Sequence, residues 1–174
     1  IYLPQPAVGS LLMADTLPPE GGNTEFADMC AAWDALPEQT QQKLDGCLAN
    51  QSYEAFNAQY SVPTNSDQKK RTPDIEQPII RTHPISGRKA LYICPGMTTQ
   101  IVGMGDDESR ALLDYLFEWS VKPEFVYTHD WAHGDALLWD NAATMHRREP
   151  FDGNEERLMK RTTILPPADL AIPV

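Results

Sequence analysis

The chain has 174 residues and carries 25 acidic and 14 basic side chains, which give a formal net charge of -11. This length suffices for one domain with a buried core. The excess of carboxylates excludes a generic nucleic-acid binder and argues against docking on an anionic membrane, because both partners require clustered lysine and arginine.

The first part of the sequence predicts one strand followed by a helix. The apolar run 7–17 is typical of a mostly buried strand, and the proline- and glycine-rich run 18–23 predicts a turn. A helix capped by Asn23 or Thr24 is expected next, because apolar residues then recur at helical spacing as far as Leu36.

A second, polar helix is predicted for residues 38–48, after which the pattern is lost. Residues 51–77 show no helical or strand period and are rich in polar side chains. Long segments of this kind are uncommon unless they cover or bind a ligand, so this one is interpreted as a surface excursion or lid. Two strands, 78–82 and 89–93, follow around a Ser-Gly turn, and the clearest helix is predicted for 107–120.

Three short strands complete the pattern, at 125–127, 136–139 and 158–164. A Gly-Asp turn at 134–135 separates the first two. No internal repeat or low-complexity segment interrupts the order. The whole chain, 1–174, is therefore predicted to be a single domain, mainly β and mostly antiparallel, with helices inserted between the early strands.

The cysteines Cys30, Cys47 and Cys94 predict free thiols. Their number is odd and they form no CxxC pair, so neither a disulfide framework nor a zinc site is indicated. Free thiols are typical of a reducing compartment, which predicts a cytoplasmic protein. Aromatic residues such as Trp119 and Trp131 leave two alternatives open, a homo-oligomer interface or the core.

One histidine and two arginines form the constellation with the most chemical content. His146 is followed by Arg157 and Arg161, which lie four residues apart on a predicted strand. Even spacing puts both guanidinium groups on one face of that strand. If the face points inward, the charges require carboxylate or sulfonate partners, which arginine binds with paired hydrogen bonds. A solvated strand face and a structural histidine are the alternatives that spacing leaves open.

Several segments, taken in chain order, carry a resemblance to a known family. They are P-P-E-G-G-N-T-E-F-A-D-M at 18–29, R-T-H-P at 81–84, G-R-K-A-L-Y at 87–92, F-V-Y at 125–127, and the blocks 139–146 and 157–164. In this order they resemble the taurine dioxygenase/2,4-dichlorophenoxyacetate dioxygenase (TauD/TfdA) family over nearly the whole chain. The resemblance implies a double-stranded β-helix (a cupin-like jelly roll). It also implies a dioxygenase that uses Fe(II), O₂ and 2-oxoglutarate to hydroxylate a small organic anion, with 2-oxoglutarate decarboxylated to succinate.

The same resemblance implies roles for individual residues. His146 corresponds to the distant histidine of the family's iron site, which leaves coordination positions open for co-substrate and O₂. Arg157 corresponds to the arginine that binds the far carboxylate of 2-oxoglutarate, with Thr24 as its hydroxyl partner. Arg161 falls where members with anionic substrates place an arginine, and Trp139 falls on a tryptophan close to the metal, on the substrate side.

The sequence departs from the family at the His-x-Asp pair, which is expected just upstream of the strand that begins near Ala7. The one His-x-Asp string in the sequence, 133–135, matches a turn and is not interpreted as the metal pair. His83 is expected to support a loop, and His129 and Asp130 are expected to be solvated.

A single imidazole cannot hold Fe(II) tightly, because water competes at every other coordination position. This chain by itself is therefore predicted to be metal-poor, inactive and incomplete. Two other hypotheses keep the same barrel: a metal-free module that binds anions through Arg157 and Arg161, and a purely structural jelly roll. The expected partner is a small anionic organic substrate, with no nucleic acid and no membrane.

Overall fold

Antiparallel strands make up most of the regular structure in the computed structural model, which describes residues 1–60 and 63–167. The strands are β1 (Gly9–Thr16), β2 (Thr24–Asp28), β3 (Leu48–Gln51), β4 (Ile75–Pro78), β5 (Ile80–Thr82), β6 (Lys89–Leu91), β7 (Thr98–Ile101), β8 (Val126–His129), β9 (Ala136–Asp140), β10 (Thr144–Arg148) and β11 (Leu158–Ile164). The helices are α1 (Met29–Asp34), α2 (Glu38–Leu44), α3 (Tyr53–Asn57), α4 (Ser66–Arg71) and α5 (Asp106–Ser120), with one 3-10 turn at Pro123–Phe125. The predicted mainly β chain with inserted helices is confirmed. Within the described ranges, no helix is long and apolar enough to cross a membrane.

Strands that are distant in the sequence pair in two of the sheets. Sheet A has the order β11-β1-β9, sheet B has the order β10-β2-β8, and sheet C has the order β4-β3-β7. Strands β5 and β6 form the predicted antiparallel hairpin. Because β1 and β2 pair with strands from the far end of the chain, sheets A and B unite the early and late motifs.

Sheet B presents two different faces because side chains alternate along its strands. Ala27 in β2 lies opposite Met145 in β10 and Val126 in β8, and all three belong to the apolar core with helices α1 and α5. Thr24 and Phe26 have the opposite parity in β2 and are also buried. The second face is the one that carries the candidate site.

The apolar core lies where sheet B, sheet C and the β5–β6 hairpin meet helices α1 and α5. Its fully buried large side chains are Leu44, Ile79, Leu91, Ile101 and Leu116. Burial of a side chain of this size contributes roughly 1.5–3 kcal/mol relative to exposure. Helix α5, predicted one residue shorter, supplies two leucines of this core. Cys30 is a free thiol of the same core, and burial raises its pKa.

The helix predicted to begin after Asn23 or Thr24 begins later. Residue 24 starts strand β2, which pairs with β10 on one side and β8 on the other. The helix cap is Asp28, whose carboxylate accepts the backbone N–H groups of Cys30 and Ala31, at 2.9 Å each. The prediction was wrong because pairing with two distant strands overrides local helical spacing.

The predicted polar helix at 38–48 is shorter than expected, because its last residue already belongs to strand β3. Segment 51–77, predicted without regular structure, contains α3, α4 and most of β4, while residues 61–62 lie outside the described part. Gln51 and Gln77 at its ends are buried in sheet C. The segment is therefore anchored at both ends, and its role as a lid stays a prediction.

Of the two tryptophans named as interface candidates, one lies in the interior and the other is partly exposed. Trp131 is 8% exposed. Trp119 is half-buried, and its indole N–H donates to the carbonyl of Ala32 at 2.9 Å. These contacts give no support to an interface at either ring. The homo-oligomer itself stays a prediction.

Candidate functional site

Three rings mark the place where sheets A and B meet. His146 in β10 lies directly opposite Phe26 in β2, with ring centroids 6.0 Å apart. Trp139 in β9 lies 4.9 Å from His146 and 5.3 Å from Phe26 between ring centroids. The structure therefore brings together two residues that the sequence motifs singled out, His146 and Trp139.

The environment of His146 favours the neutral imidazole. Burial of the ring, as the larger cause, and the positive charge of Arg161 together lower the pKa of His146 to about 4. His146 as a residue is nevertheless exposed, so solvent or a ligand can reach it. A neutral imidazole is the form that can bind a metal ion.

Arg161 reaches the same space from strand β11. Its Nη2 donates to Ser10 Oγ at 3.4 Å, and Ser10 is fully buried in β1. Ser10 lies directly opposite Trp139 in the β1–β9 pairing and also accepts from Asn141 Nδ2 at 3.1 Å. In the described part of the chain no carboxylate forms an ion pair with Arg161, so its charge is available to an anion.

Arg157 is held by the turn that precedes β2. Its Nε donates to the carbonyl of Gly22 at 3.0 Å. Gly22 has φ +73°, and a Cβ at this position would lie 3.1 Å from Arg157 Nε and 3.2 Å from its Cδ. Glycine thus permits both the left-handed backbone and the close approach of the guanidinium group. Burial lowers the pKa of Arg157, with the nearby charge of Arg148 as the second cause.

Thr24 lies two residues beyond Gly22 and is 4% exposed. Its Oγ1 accepts the indole N–H of Trp131 at 3.0 Å. Because a hydroxyl has one donor hydrogen, the Thr24 O–H can donate to a second group while it accepts from Trp131. A carboxylate next to Arg157 could accept that hydrogen, which fits the pairing of the two residues expected from the motifs.

Arg157 and Arg161 do not both lie within the observed strand. Strand β11 begins at Leu158, which pairs with Thr16, so Arg157 immediately precedes it. The two guanidinium groups contact different partners, the Gly22 carbonyl and the Ser10 hydroxyl. That both side chains point to one face stays a prediction.

The indole N–H of Trp139 is a buried donor without an acceptor among the described residues. Trp139 is 8% exposed and its Nε1 has no hydrogen-bond partner among them. Leaving a buried N–H unpaired costs about 1–3 kcal/mol. A ligand, or a protein group outside the described ranges, would remove this cost at the place where His146 lies.

The described residues supply one candidate metal ligand, His146, rather than a complete set. Across ranges 1–60 and 63–167, no three His, Cys, Asp or Glu side chains are grouped so that they could hold an ion. The string 133–135 forms the predicted turn, with φ +85° at Gly134 and the Asp135 carboxylate accepting the Ala132 N–H at 2.9 Å. These residues fit one imidazole ligand and two anion positions, but they do not fit an iron site by themselves.

His83 supports a loop, as predicted. Its Nδ1 accepts the backbone N–H of Ser86 at 3.0 Å, and its Nε2 forms a 2.6 Å hydrogen bond with Asp140 Oδ2. This bond ties the β5–β6 hairpin to the end of β9, next to Trp139. His83 is therefore a structural residue behind the site.

His129 is not solvated, contrary to the prediction. Its ring packs edge-on against Trp131, with centroids 4.4 Å apart. Its Nε2 lies 3.3 Å from Asp135 Oδ2 but has no hydrogen-bond partner among the described residues. Asp130 is exposed, as expected.

Sequence reasoning missed Ser10, Phe26 and Trp131 as neighbours of the site. The one local signal is Ser10, a small polar residue inside the apolar run 7–17. Trp131 contacts Thr24 across 107 positions, so no local pattern indicates that contact.

The comparisons with known proteins define the class. The model of the family described as taurine catabolism dioxygenase TauD, TfdA family matches residues 1–163. The chain belongs to the TauD/TfdA family. This family and the relatives described next are 2-oxoglutarate-dependent dioxygenases, a class that works with Fe(II), 2-oxoglutarate and O₂.

Two curated relatives illustrate the similarity. The chain is 39% identical over 165 residues to the alpha-ketoglutarate-dependent 2,4-dichlorophenoxyacetate dioxygenase of Cupriavidus pinatubonensis, covering 92% of this chain and 56% of that protein. It is 34% identical over 170 residues to the (S)-phenoxypropionate/alpha-ketoglutarate-dioxygenase of Sphingobium herbicidovorans, covering 94% and 59%. The chain thus spans somewhat more than half the length of these relatives.

Solved structures show the same similarity. The crystal structure of AAD-2 in complex with Mn(II) and N-oxalylglycine matches with a TM-score of 0.88 and 36% identity, covering 98% of this chain and 68% of that one. A taurine dioxygenase from Burkholderia xenovorans matches with a TM-score of 0.81 and 30% identity, covering 94% and 54%.

Proposed function

We propose that this chain supplies the anion-binding side of an Fe(II)- and 2-oxoglutarate-dependent dioxygenase. The reaction hydroxylates a small organic anion and converts 2-oxoglutarate to succinate by oxidative decarboxylation. The observation that carries the proposal is that two arginines lie beside the strands that carry Thr24, His146 and Trp139. Arg157 donates to the carbonyl of Gly22, two residues before Thr24, and Arg161 donates to the hydroxyl of Ser10, which lies opposite Trp139.

The two arginines have different tasks in this proposal. Arg157 and Thr24 bind the far carboxylate of 2-oxoglutarate, since a guanidinium group and a hydroxyl can both donate to it. Arg161 binds the anionic group of the substrate, and Trp139 borders the substrate and excludes water. His146 serves as one metal ligand. Bound Fe(II) would supply the oxidising chemistry with O₂, and its remaining ligands would come from outside the described residues.

The substrate class follows from Arg161 and from the relatives. A guanidinium group beside a buried serine hydroxyl binds carboxylates and sulfonates alike. The relatives that act on 2,4-dichlorophenoxyacetate and phenoxypropionate have carboxylate substrates. We therefore expect a small organic anion, with aryloxy acids as the first compounds to test.

The finer features of the fold belong to the same proposal. Sheets A and B, which face each other across the three rings, are proposed to be part of a double-stranded β-helix in one domain of residues 1–174. Segment 51–77 is proposed to cover the site. The cytoplasm remains the predicted compartment because of the free thiols.

A test compares the 174-residue chain with the natural polypeptide that contains it. Each is given Fe(II), ascorbate, 2-oxoglutarate and aryloxy acids or sulfonates, and succinate and hydroxylated product are quantified. We expect turnover by the natural polypeptide if it adds a His-x-Asp pair, none after His146→Ala, and neither stoichiometric iron nor turnover from the 174 residues alone. Stoichiometric iron with turnover from the 174 residues alone would contradict the proposed incompleteness. Absence of 2-oxoglutarate binding in both proteins would refute the function.

The second candidate function is a metal-free anion-binding module. The observation that favours it is the single imidazole ligand among the described residues. Calorimetry separates the two functions. Binding of 2-oxoglutarate that does not change when Mn(II) or Fe(II) is added to the natural polypeptide would favour the module.

A further inference from the structure

Arg148 lies next to the proposed co-substrate position. In the pairing of β10 with β2, Arg148 is directly opposite Thr24, just as His146 is opposite Phe26. Alternation along β10 puts Arg148 on the same face of sheet B as His146 and Thr24. Arg148 is therefore placed at the end of the site where Arg157 is held.

Its neighbour Arg147 provides a natural contrast. Arg147 Nε is hydrogen-bonded to the carboxylate of Glu25, its direct partner across the strands. That bond raises the pKa of Arg147, and the charge of Glu149 adds to the effect. Arg148, on the opposite face, forms no ion pair with any residue that the structure describes. One arginine of the pair is neutralised by the protein, and the other is not.

The loop after β10 contacts the Arg148 side chain through Phe151. Its guanidinium carbon lies 4.6 Å from the centre of the Phe151 ring. Phe151 in turn packs on Gly21, where a Cβ would lie 2.5 Å from the carbonyl oxygen of Pro150 and 3.5 Å from Phe151 Cβ. The Gly-Gly turn that admits Arg157 therefore also lies against Phe151, the residue that the Arg148 guanidinium group contacts.

Two positive charges without a carboxylate partner repel each other. This repulsion contributes to the lowered pKa of Arg157, for which the charge of Arg148 is the second cause after burial. An anion bound between the two guanidinium groups would turn this repulsion into attraction, and a carboxylate can accept from both.

We propose that Arg148 is a second binding residue for the far carboxylate of 2-oxoglutarate, acting with Arg157 and Thr24. The inference rests on the proposed function and adds a residue that the family motifs do not assign here. It predicts that the site distinguishes a dicarboxylate from a 2-oxo acid without the far carboxylate more strongly than Arg157 alone would.

The experiment measures dissociation constants by calorimetry on the natural polypeptide with Mn(II), for 2-oxoglutarate and for 2-oxobutanoate. We expect Arg148→Met to weaken 2-oxoglutarate binding by about tenfold, with 2-oxobutanoate binding unchanged within about twofold. The matched control is Arg147→Met, which removes the same side chain from the opposite face and should leave both constants unchanged. Because Arg148 is exposed, we expect both variants to fold, and their thermal midpoints are compared first.

Each outcome decides a different statement. Equal 2-oxoglutarate affinities for Arg148→Met and Arg147→Met would overturn the inference, and so would a loss confined to the organic substrate. If Arg148→Met did not fold, Arg148→Lys, which keeps the charge but loses the paired donors, should weaken 2-oxoglutarate binding by about threefold; no change would overturn the inference. Absence of 2-oxoglutarate binding in the unaltered polypeptide would instead refute the proposed function.

Discussion

On one face of sheet B, Ala27 and Met145 pack under helices α1 and α5 in a closed apolar core. The other face carries Thr24 and His146, and His146 contacts Trp139 of sheet A. Not every polar group on this side has a hydrogen-bond partner. The Trp139 N–H lacks an acceptor among the described residues. Buried polar groups are normally satisfied, so the difference indicates that the first face serves stability and the second is shaped for a ligand.

The largest expected effect on stability is in the closed core. Leu116 in α5 is fully buried, so Leu116→Ala should lower the free energy of unfolding by about 2–5 kcal/mol through lost burial and a cavity. Urea denaturation of the 174-residue chain measures this, with the exposed Glu118→Ala in the same helix as the control. A change of less than about 1 kcal/mol for Leu116→Ala would show that this face does not carry the stability.

A smaller effect on stability, together with an effect on ligand binding, is expected at the Gly-Gly turn. Gly22→Ala forces a Cβ into a left-handed backbone and against Arg157, so we expect a loss of about 1–2 kcal/mol in the free energy of unfolding. Because Arg157 must move, 2-oxoglutarate affinity should fall as well. The control is Gly153→Ala, where nothing lies within 4 Å of an added Cβ. Gly22→Ala with unchanged affinity would mean that Arg157 does not bind 2-oxoglutarate.

The smallest effect is expected at Asp28, which lies at the boundary between the two faces of sheet B. Asp28 has the strand parity of Thr24 and Phe26, yet its carboxylate caps helix α1. Asp28→Ala should therefore cost about 1 kcal/mol of stability and leave ligand affinities unchanged. Denaturation and calorimetry on the same sample check both statements. A loss of 2-oxoglutarate affinity at unchanged stability would assign Asp28 to the site instead.

Local patterns predicted the elements whose contacts are local. Helix α5 matches its expected range within one residue, and the β5–β6 hairpin forms where expected although each strand is two residues shorter. Helical spacing and a Ser-Gly turn determine both within a short stretch. Strand β2 was predicted as part of a helix, since its partners β10 and β8 lie more than 90 residues further along the chain. Strands β3, β7 and β10 were not predicted at all; β7 pairs with β3, and β10 pairs with the distant β2.

The site shows the same division. His146, Trp139 and the two arginines could be named from motifs, but their arrangement could not. Period-two spacing predicted a common face for Arg157 and Arg161, but it could not show that they contact different partners, the Gly22 carbonyl and the Ser10 hydroxyl. The hydrogen bond between Trp131 and Thr24 depends on a sheet whose order the sequence does not reveal.

The central claim is that Arg157 and Arg161 bind different ligands. Calorimetry on the natural polypeptide with Mn(II) tests it most directly, by titrating 2-oxoglutarate and phenoxyacetate into Arg157→Met and Arg161→Met. We predict that Arg157→Met weakens 2-oxoglutarate binding by about tenfold to hundredfold while Arg161→Met changes it by less than about twofold, with the reverse pattern for phenoxyacetate. Loss of the same ligand in both variants would contradict the account.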